Sequence, residues 1–308
     1  MKPQLKIKFT DYYRGWNIEN NLFSKLLTEM YDVSFSDDPD LLLFLPFGTE
    51  HLNYRCRKLF ITGENVRPDF NVCDYAFSFD FLDDPRNYRF PLALWGNVQT
   101  PCDWDPETLL QKKNGFCNFL YSNPSCRVRN ELFKQLSKYK IVDSGGRYKN
   151  NLGHRVGDKL TFLSQYKFTI AYENTSYPGY VTEKISDAFA ANTVPIYWGN
   201  PKIDHDFNPA SFINYHELGS NEAVIDRIIE LDQDDNAYLE VMRQPRYPGD
   251  RFPDFAQPSK IKSRLQQIVE STDPPHRSSW GAKVSHRAGH VKNKWGHRLQ
   301  RWKGRLSG

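Results

Sequence analysis

Apolar and polar positions alternate over residues 5–9, the pattern of a strand with one buried face. Leu22, Phe23, Leu26, Leu27 and Met30 then fall at helical spacing and predict an amphipathic helix over 18–30. Residues 41–45 form an unbroken apolar run, as in a strand covered on both faces. Residues 58–62 and 74–79 read as further strands. Residues 118–121 read as another, followed by a helix over 125–139. After the glycine-bearing Ser144-Gly145-Gly146-Arg147, a second set begins: a strand at 168–172, a helix at 182–191, a strand at 194–198, and helices near 222–232 and 259–270. Strands alternating with helices predict an α/β protein with mostly parallel, doubly wound sheets. The expected division is one domain over 1–150, a second over 151–272, and a tail over 273–308.

The informative chemistry lies between residues 166 and 201. A strand delivers Glu173 and Asn174 at its carboxyl end, where open α/β sheets bind ligands. A Pro178-Gly179 turn follows, and Thr182 can cap a helix whose first turn holds Glu183 and Lys184. A helix N-terminus offers N–H groups and a positive dipole end, which suits a diphosphate, and Lys184 adds a full charge there. On these residues alone, an ordinary strand–turn–helix with Glu183 and Lys184 as a solvated pair fits equally well.

Three runs break the tie: Tyr172-Glu173-Asn174, then Tyr180-Val181-Thr182-Glu183-Lys184, then Pro195-Ile196-Tyr197-Trp198-Gly199. Their order and spacing resemble the signature of the α1,3/α1,4-fucosyltransferases of glycosyltransferase family 10, with Tyr172 standing where that family has Phe. A looser likeness runs from about residue 1 to 270. It includes Gly63-Glu64-Asn65-Val66-Arg67-Pro68-Asp69-Phe70 and Phe207-Asn208-Pro209-Ala210-Ser211-Phe212. The likeness is to the bacterial branch, as in the Helicobacter enzymes.

The resemblance implies two Rossmann-like domains facing a cleft, the GT-B arrangement. It also implies an inverting transfer of L-fucose from GDP-β-L-fucose to the 3-OH, or the 4-OH, of GlcNAc in lactosamine-type glycans. Glu64 matches the family's base, and its place after the strand 58–62 puts it at a carboxyl end. Arg147 and Lys184 are the expected neutralisers of the diphosphate, with Lys149 and Arg155 as competitors of Arg147. Glu183 is expected to bind the fucose or the ribose and to stabilise transition-state charge. Glu173, Asn174 and Tyr180 are expected donor contacts within the same run as Val181 and Thr182, and Glu173 fits a structural role equally. With these cations present, no metal or other cofactor is expected, although Asp38-Pro39-Asp40, Asp103-Trp104-Asp105 and Asp204-His205-Asp206 match a metal-binding triplet. Another inverting nucleotide-sugar transferase of the same fold, or a non-catalytic glycan- or nucleotide-binding protein, stands as the alternative.

Composition changes the picture at one end only. Nine of the 41 Lys and Arg lie after Asp273, and none of the 37 Asp and Glu does. The remaining 32 basic residues are therefore outnumbered by acidic ones, which argues against a nucleic-acid partner. Val291, Trp295, Leu299, Trp302 and Leu306 share one helical face, so 276–308 is expected to lie on an anionic membrane surface. The start shows neither a secretory signal nor a spanning helix, which fits a cytoplasmic protein peripheral to the inner face of a bacterial membrane, or a trimmed chain. Five cysteines without a C-x-x-C pair predict free, buried thiols.

Overall fold

The computed structural model describes residues 1–96 and 105–290, in two compact units. The first unit begins with six parallel strands: β1 (Gln4–Thr10), β2 (Asp32–Phe35), β3 (Leu41–Phe44), β4 (Arg57–Ile61), β5 (Tyr75–Ser78) and β6 (Asn87–Arg89), ordered β2-β1-β3-β4-β5-β6. Every residue of β3 is buried, as its unbroken apolar run requires. The first helix, α1 (Leu22–Met30), starts four residues later than its apolar spacing suggests. Asn17 Oδ1 accepts from the N–H groups of Glu19 and Asn20, making a local turn, and Asn21 caps the helix by accepting from the Ser24 N–H at 3.0 Å. Side-chain capping outcompetes the helix there.

The second unit, from Gly96 to Pro253, holds five parallel strands: β7 (Gly115–Phe119), β8 (Val142–Ser144), β9 (Tyr166–Tyr172), β10 (Val194–Trp198) and β11 (Ile213–Asn214), ordered β11-β10-β9-β7-β8. Its helices are α2 (Pro106–Gln111), α3 (Arg127–Leu136), α4 (Lys159–Ser164), α5 (Glu183–Ala190), α6 (Tyr215–Leu218), α7 (Asn221–Gln233) and α8 (Asp235–Arg243). The division therefore falls near residue 95 and not at 150. The strand expected at 118–121 begins three residues earlier and ends at Phe119; it ladders with β9, and its Cys117 and Phe119 share a core with Phe168 and Ile170.

After residue 253 the chain returns to the first unit, so the expected boundary at 272 also moves. Helix α9 (Pro258–Glu270) buries Ile261, Leu265 and Ile268. Its Glu270 accepts from the Tyr31 hydroxyl at 3.3 Å, its Lys262 pairs with Glu29, and its Arg264 donates to the Pro85 carbonyl. A further helix, α10, covers residues 280–290. The segment 276–290 is docked rather than free: the buried Lys58 ammonium donates to the His276 carbonyl at 3.3 Å, and His286 Nδ1 lies 3.2 Å from Asp69 Oδ2. The tail expected from 273 is thus part of the first unit as far as 290. The amphipathic face at Val291–Leu306 lies outside the described residues. Cys56, Cys73, Cys117 and Cys126 are free, and no helix of the described residues is long and apolar enough to cross a membrane.

Candidate active site

In the second unit β8 and β9 leave β7 on opposite sides, and such a reversal opens a crevice at the strands' carboxyl ends. Tyr121, just past β7, seals its floor: the hydroxyl lies 2.7 Å from the Ile170 carbonyl and 3.0 Å from that of Tyr172. The guanidinium of Arg129, from α3, stacks on the Tyr121 ring at 3.8 Å. It donates to the Tyr172 carbonyl at 3.3 Å, to Asn174 Oδ1 at 3.0 Å and to the Asn123 carbonyl at 2.6 Å. Arg129 is fully buried, which a cation tolerates only with such partners. In the sequence it looks like a solvated residue on an amphipathic helix, so its positioning role escapes a reading of pattern.

Glu173 is equally buried and is the centre of a knot. One carboxylate oxygen accepts from the Thr182 N–H at 2.7 Å, and the other from Lys184 Nζ at 2.8 Å. The Thr182 hydroxyl lies 2.8 and 2.9 Å from the two oxygens and also accepts from Lys184 at 2.7 Å. Thr182 occupies the N-cap position of α5, but its hydroxyl makes no capping bond to the helix, contrary to the simplest expectation, because Glu173 and Lys184 engage it. Burial works against the Lys184 charge, yet the Glu173 and Glu183 carboxylates outweigh it and hold the ammonium protonated well beyond its ordinary range. Burial likewise opposes the Glu183 charge, and Lys184 and then Lys159 pull its carboxyl below the usual range. Glu183 keeps 46% of its side chain exposed, so it is the one of these three groups that reaches solvent freely.

The remaining expected donor residues fall around this knot. Tyr180 and Val181 are buried. The turn before them is fastened by Asn200, whose Oδ1 accepts from the Gly179 N–H at 2.7 Å and the Lys202 N–H at 2.9 Å. Asn200 is a second support that sequence reasoning passed over, although it sits next to the Trp198-Gly199 pair. Arg147 lies exposed in the loop after β8. Gly146 presses against the Tyr121 backbone, where a Cβ would come within 2.0 Å of the carbonyl oxygen, and this close approach positions the loop. Lys149 lies over the Tyr148 ring at 5.5 Å, and Arg155 is exposed on the same loop.

Glu64 belongs to the first unit, three residues past the end of β4, and is exposed. Its loop is closed by the Thr62 hydroxyl, which accepts from the Glu64 N–H at 3.0 Å and donates to the Glu64 carbonyl at 2.9 Å. Of the aspartate triplets, Asp40 accepts from the Lys6 N–H at 2.9 Å in the turn between β2 and β3. Asp206 is buried beside Asn200, and residues 103 and 104 lie outside the described residues. No group of three or more His, Cys, Asp and Glu among the described residues is placed to hold a metal.

Two parallel α/β units with a loop-borne carboxylate in one and a helix-start cation in the other define the class: a doubly wound fold of the nucleotide-sugar transferase kind. Residues 7–95 match the sequence profile of the α-(1,3)-fucosyltransferase FucT N-terminal domain, and 110–245 that of the C-terminal part of glycosyltransferase family 10. The chain belongs to glycosyltransferase family 10, the fucosyltransferases. It is 34% identical to α-(1,3)-fucosyltransferase FucT of Helicobacter pylori over 78% of its own length and 60% of that protein's. It is 33% identical to 4-galactosyl-N-acetylglucosaminide 3-α-L-fucosyltransferase FUT6 of Pan troglodytes, over 53% of the chain and 52% of the relative. The chain thus spans little more than half the length of these relatives. A crystal structure of an α1,3-fucosyltransferase with GDP-fucose superposes with a TM-score of 0.77 at 30% identity, covering 90% of this chain and 93% of that one.

Proposed function

We propose that the chain transfers L-fucose from GDP-β-L-fucose to the 3-OH of GlcNAc in lactosamine-type glycans, with inversion at the anomeric carbon. The observation that carries this reading is the similarity, over 90% of the chain, to an α1,3-fucosyltransferase crystallised with GDP-fucose. The knot of Glu173, Thr182 and Lys184 at the start of α5 supports it.

In this reading the Glu64 carboxylate takes the proton of the acceptor hydroxyl. The oxygen so freed attacks the fucose anomeric carbon while the bond to the β-phosphate oxygen breaks and GDP leaves. The departing diphosphate needs positive charge fixed before the reaction. Lys184 is locked against Glu173, so it serves as an oriented donor whose charge is largely balanced. The exposed guanidinium of Arg147 and the start of α5 supply the rest, with Lys149 and Arg155 on the same loop as Arg147. Glu183, ionised and accessible, suits a sugar hydroxyl or developing positive charge on the ring. The cations make a metal unnecessary, and attachment of 291–308 to an anionic cytoplasmic membrane face belongs to the same reading.

The test is GDP release with GDP-fucose against type 1 and type 2 lactosamine acceptors, with linkage read by NMR. Transfer to the type 2 chain with an α1,3 linkage, undiminished by EDTA, is the expected result. Release with GDP-mannose or a UDP-sugar instead would remove the donor assignment, and loss in EDTA restored by Mn²⁺ would remove the metal-free mechanism. A specific similarity keeps the 4-OH in view: the chain is also 33% identical to the 3-galactosyl-N-acetylglucosaminide 4-α-L-fucosyltransferase FUT3 of Bos taurus, over 38% of its length.

A further inference from the structure

At the carboxyl edge of the first sheet, β1 runs into Asp11-Tyr12-Tyr13-Arg14-Gly15-Trp16. Tyr12 and Tyr13 keep 42% and 47% of their surface exposed, which is unusual for two adjacent large rings. The backbone around Tyr13 is tied down. The Trp16 N–H closes a turn onto the Tyr13 carbonyl at 3.1 Å, and Gly15 adopts the φ of +101° that a type II turn demands at its third residue. Asp11 clamps the loop from below, accepting from the N–H groups of Glu50 and His51 and from His51 Nδ1. The Asp11 carbonyl also accepts from the Phe47 N–H at 3.0 Å.

The rings form a column rooted in the core. Tyr13 meets Phe47 edge to face at 5.4 Å and Trp16 at 5.8 Å, Trp16 meets Trp95 at 6.4 Å, and Trp95 meets the buried Phe23 at 5.5 Å. The same short turn that carries Leu92 ends at Trp95, and Leu92 packs against Gly63, where a Cβ would stand 2.8 Å from its Cδ2. Gly63 precedes Glu64. The column therefore shares a wall with the Glu64 loop, and its strand lies two places from β4, about 10 Å across the sheet. The indole N–H of Trp16 is buried without a hydrogen-bond partner among the described residues.

We infer that Tyr13, backed by Trp16 and Phe47, is a stacking platform for a pyranose ring of the acceptor glycan adjoining the sugar whose hydroxyl Glu64 deprotonates. A pyranose has one apolar C–H face that a preorganised aromatic ring covers at little entropic cost. This assignment rests on the proposed transfer to a glycan hydroxyl. The two-strand offset between β1 and β4, about 10 Å, is the span of a neighbouring sugar and not of the reacting one.

The test measures N-acetyllactosamine binding by ligand-detected NMR, and acceptor and donor KM, for the wild type, Tyr13→Ala and Tyr13→Phe, with GDP affinity as the fold control. Tyr13→Ala is expected to weaken glycan binding and raise the acceptor KM about tenfold, while GDP affinity and donor KM stay unchanged and Tyr13→Phe behaves as wild type. Equal glycan binding by wild type and Tyr13→Ala, or no glycan binding by the wild type, overturns the platform. A wild type that binds the glycan through Tyr13 but transfers no fucose leaves the platform standing and refutes the enzymatic reading instead.

Discussion

Glu173 has no exposed surface, so its charge is tolerated only because Thr182 and Lys184 satisfy both carboxylate oxygens. Lys184→Met should leave that carboxylate buried and unpaired, costing about 3 kcal/mol and lowering Tm by roughly 10 °C. Adding Glu173→Gln to it should recover most of the loss, and a thermal-shift double-mutant cycle measures both. The first unit holds a buried pair of a different kind. Burial keeps the His51 imidazole below its usual range, and its Nδ1 lies 2.6 Å from an Asp11 oxygen while Nε2 has no hydrogen-bond partner among the described residues. His51 therefore stays neutral in the folded state at pH values where the unfolded chain takes up a proton. Stability conferred by the neutral form is present above about pH 6.5 and declines as pH falls below that value. The Tm should drop between pH 7.5 and 5.5, and His51→Gln, which keeps an N–H for Asp11, should flatten that slope. A Tm independent of pH in this window would contradict the neutral assignment.

Elements with long apolar or amphipathic runs were legible in the sequence: β1, β3, β4, β5, β9, β10, α5, α7 and α9 lie where the pattern puts them, within a residue or two. The strands that went unseen are β2, β6, β8 and β11, each four residues or fewer and every one at a sheet edge. An edge strand such as Asp32–Phe35 is largely exposed and carries polar residues, so it has no periodicity to read. The site was legible to the same extent: the run from Glu173 to Lys184 announced itself, whereas Arg129 and Asn200 act through partners distant in sequence. Docking of 276–290 was equally invisible, because its contacts are single polar pairs and not an apolar stripe. They are measurable all the same. A chain ending at residue 273 removes the carbonyl that receives the buried Lys58 ammonium and should melt several degrees below one ending at 290. Identical melting of the two shortened chains would show that the docked segment contributes nothing.

On the scale of the whole molecule, the described residues of the second unit all fall between 96 and 253, and those of the first come from both ends of the described sequence. Residues 96–253 contain both partners of every ladder in their sheet and both halves of the Glu173–Lys184 knot. Expressed alone, they should give a cooperative melt and bind GDP in calorimetry. A non-cooperative melt would mean that this stretch depends on the rest of the chain.

That split ancestry of the first unit sets an order of events on the ribosome. Its six strands emerge first, yet α9, which buries Ile261, Leu265 and Ile268, is synthesised some 160 residues later. At ordinary elongation speeds the nascent sheet waits on the order of ten to thirty seconds for its own missing layer, with a complete neighbour already emerging behind it. Through that interval the exposed surface is a natural client for chaperones that ride the translating ribosome.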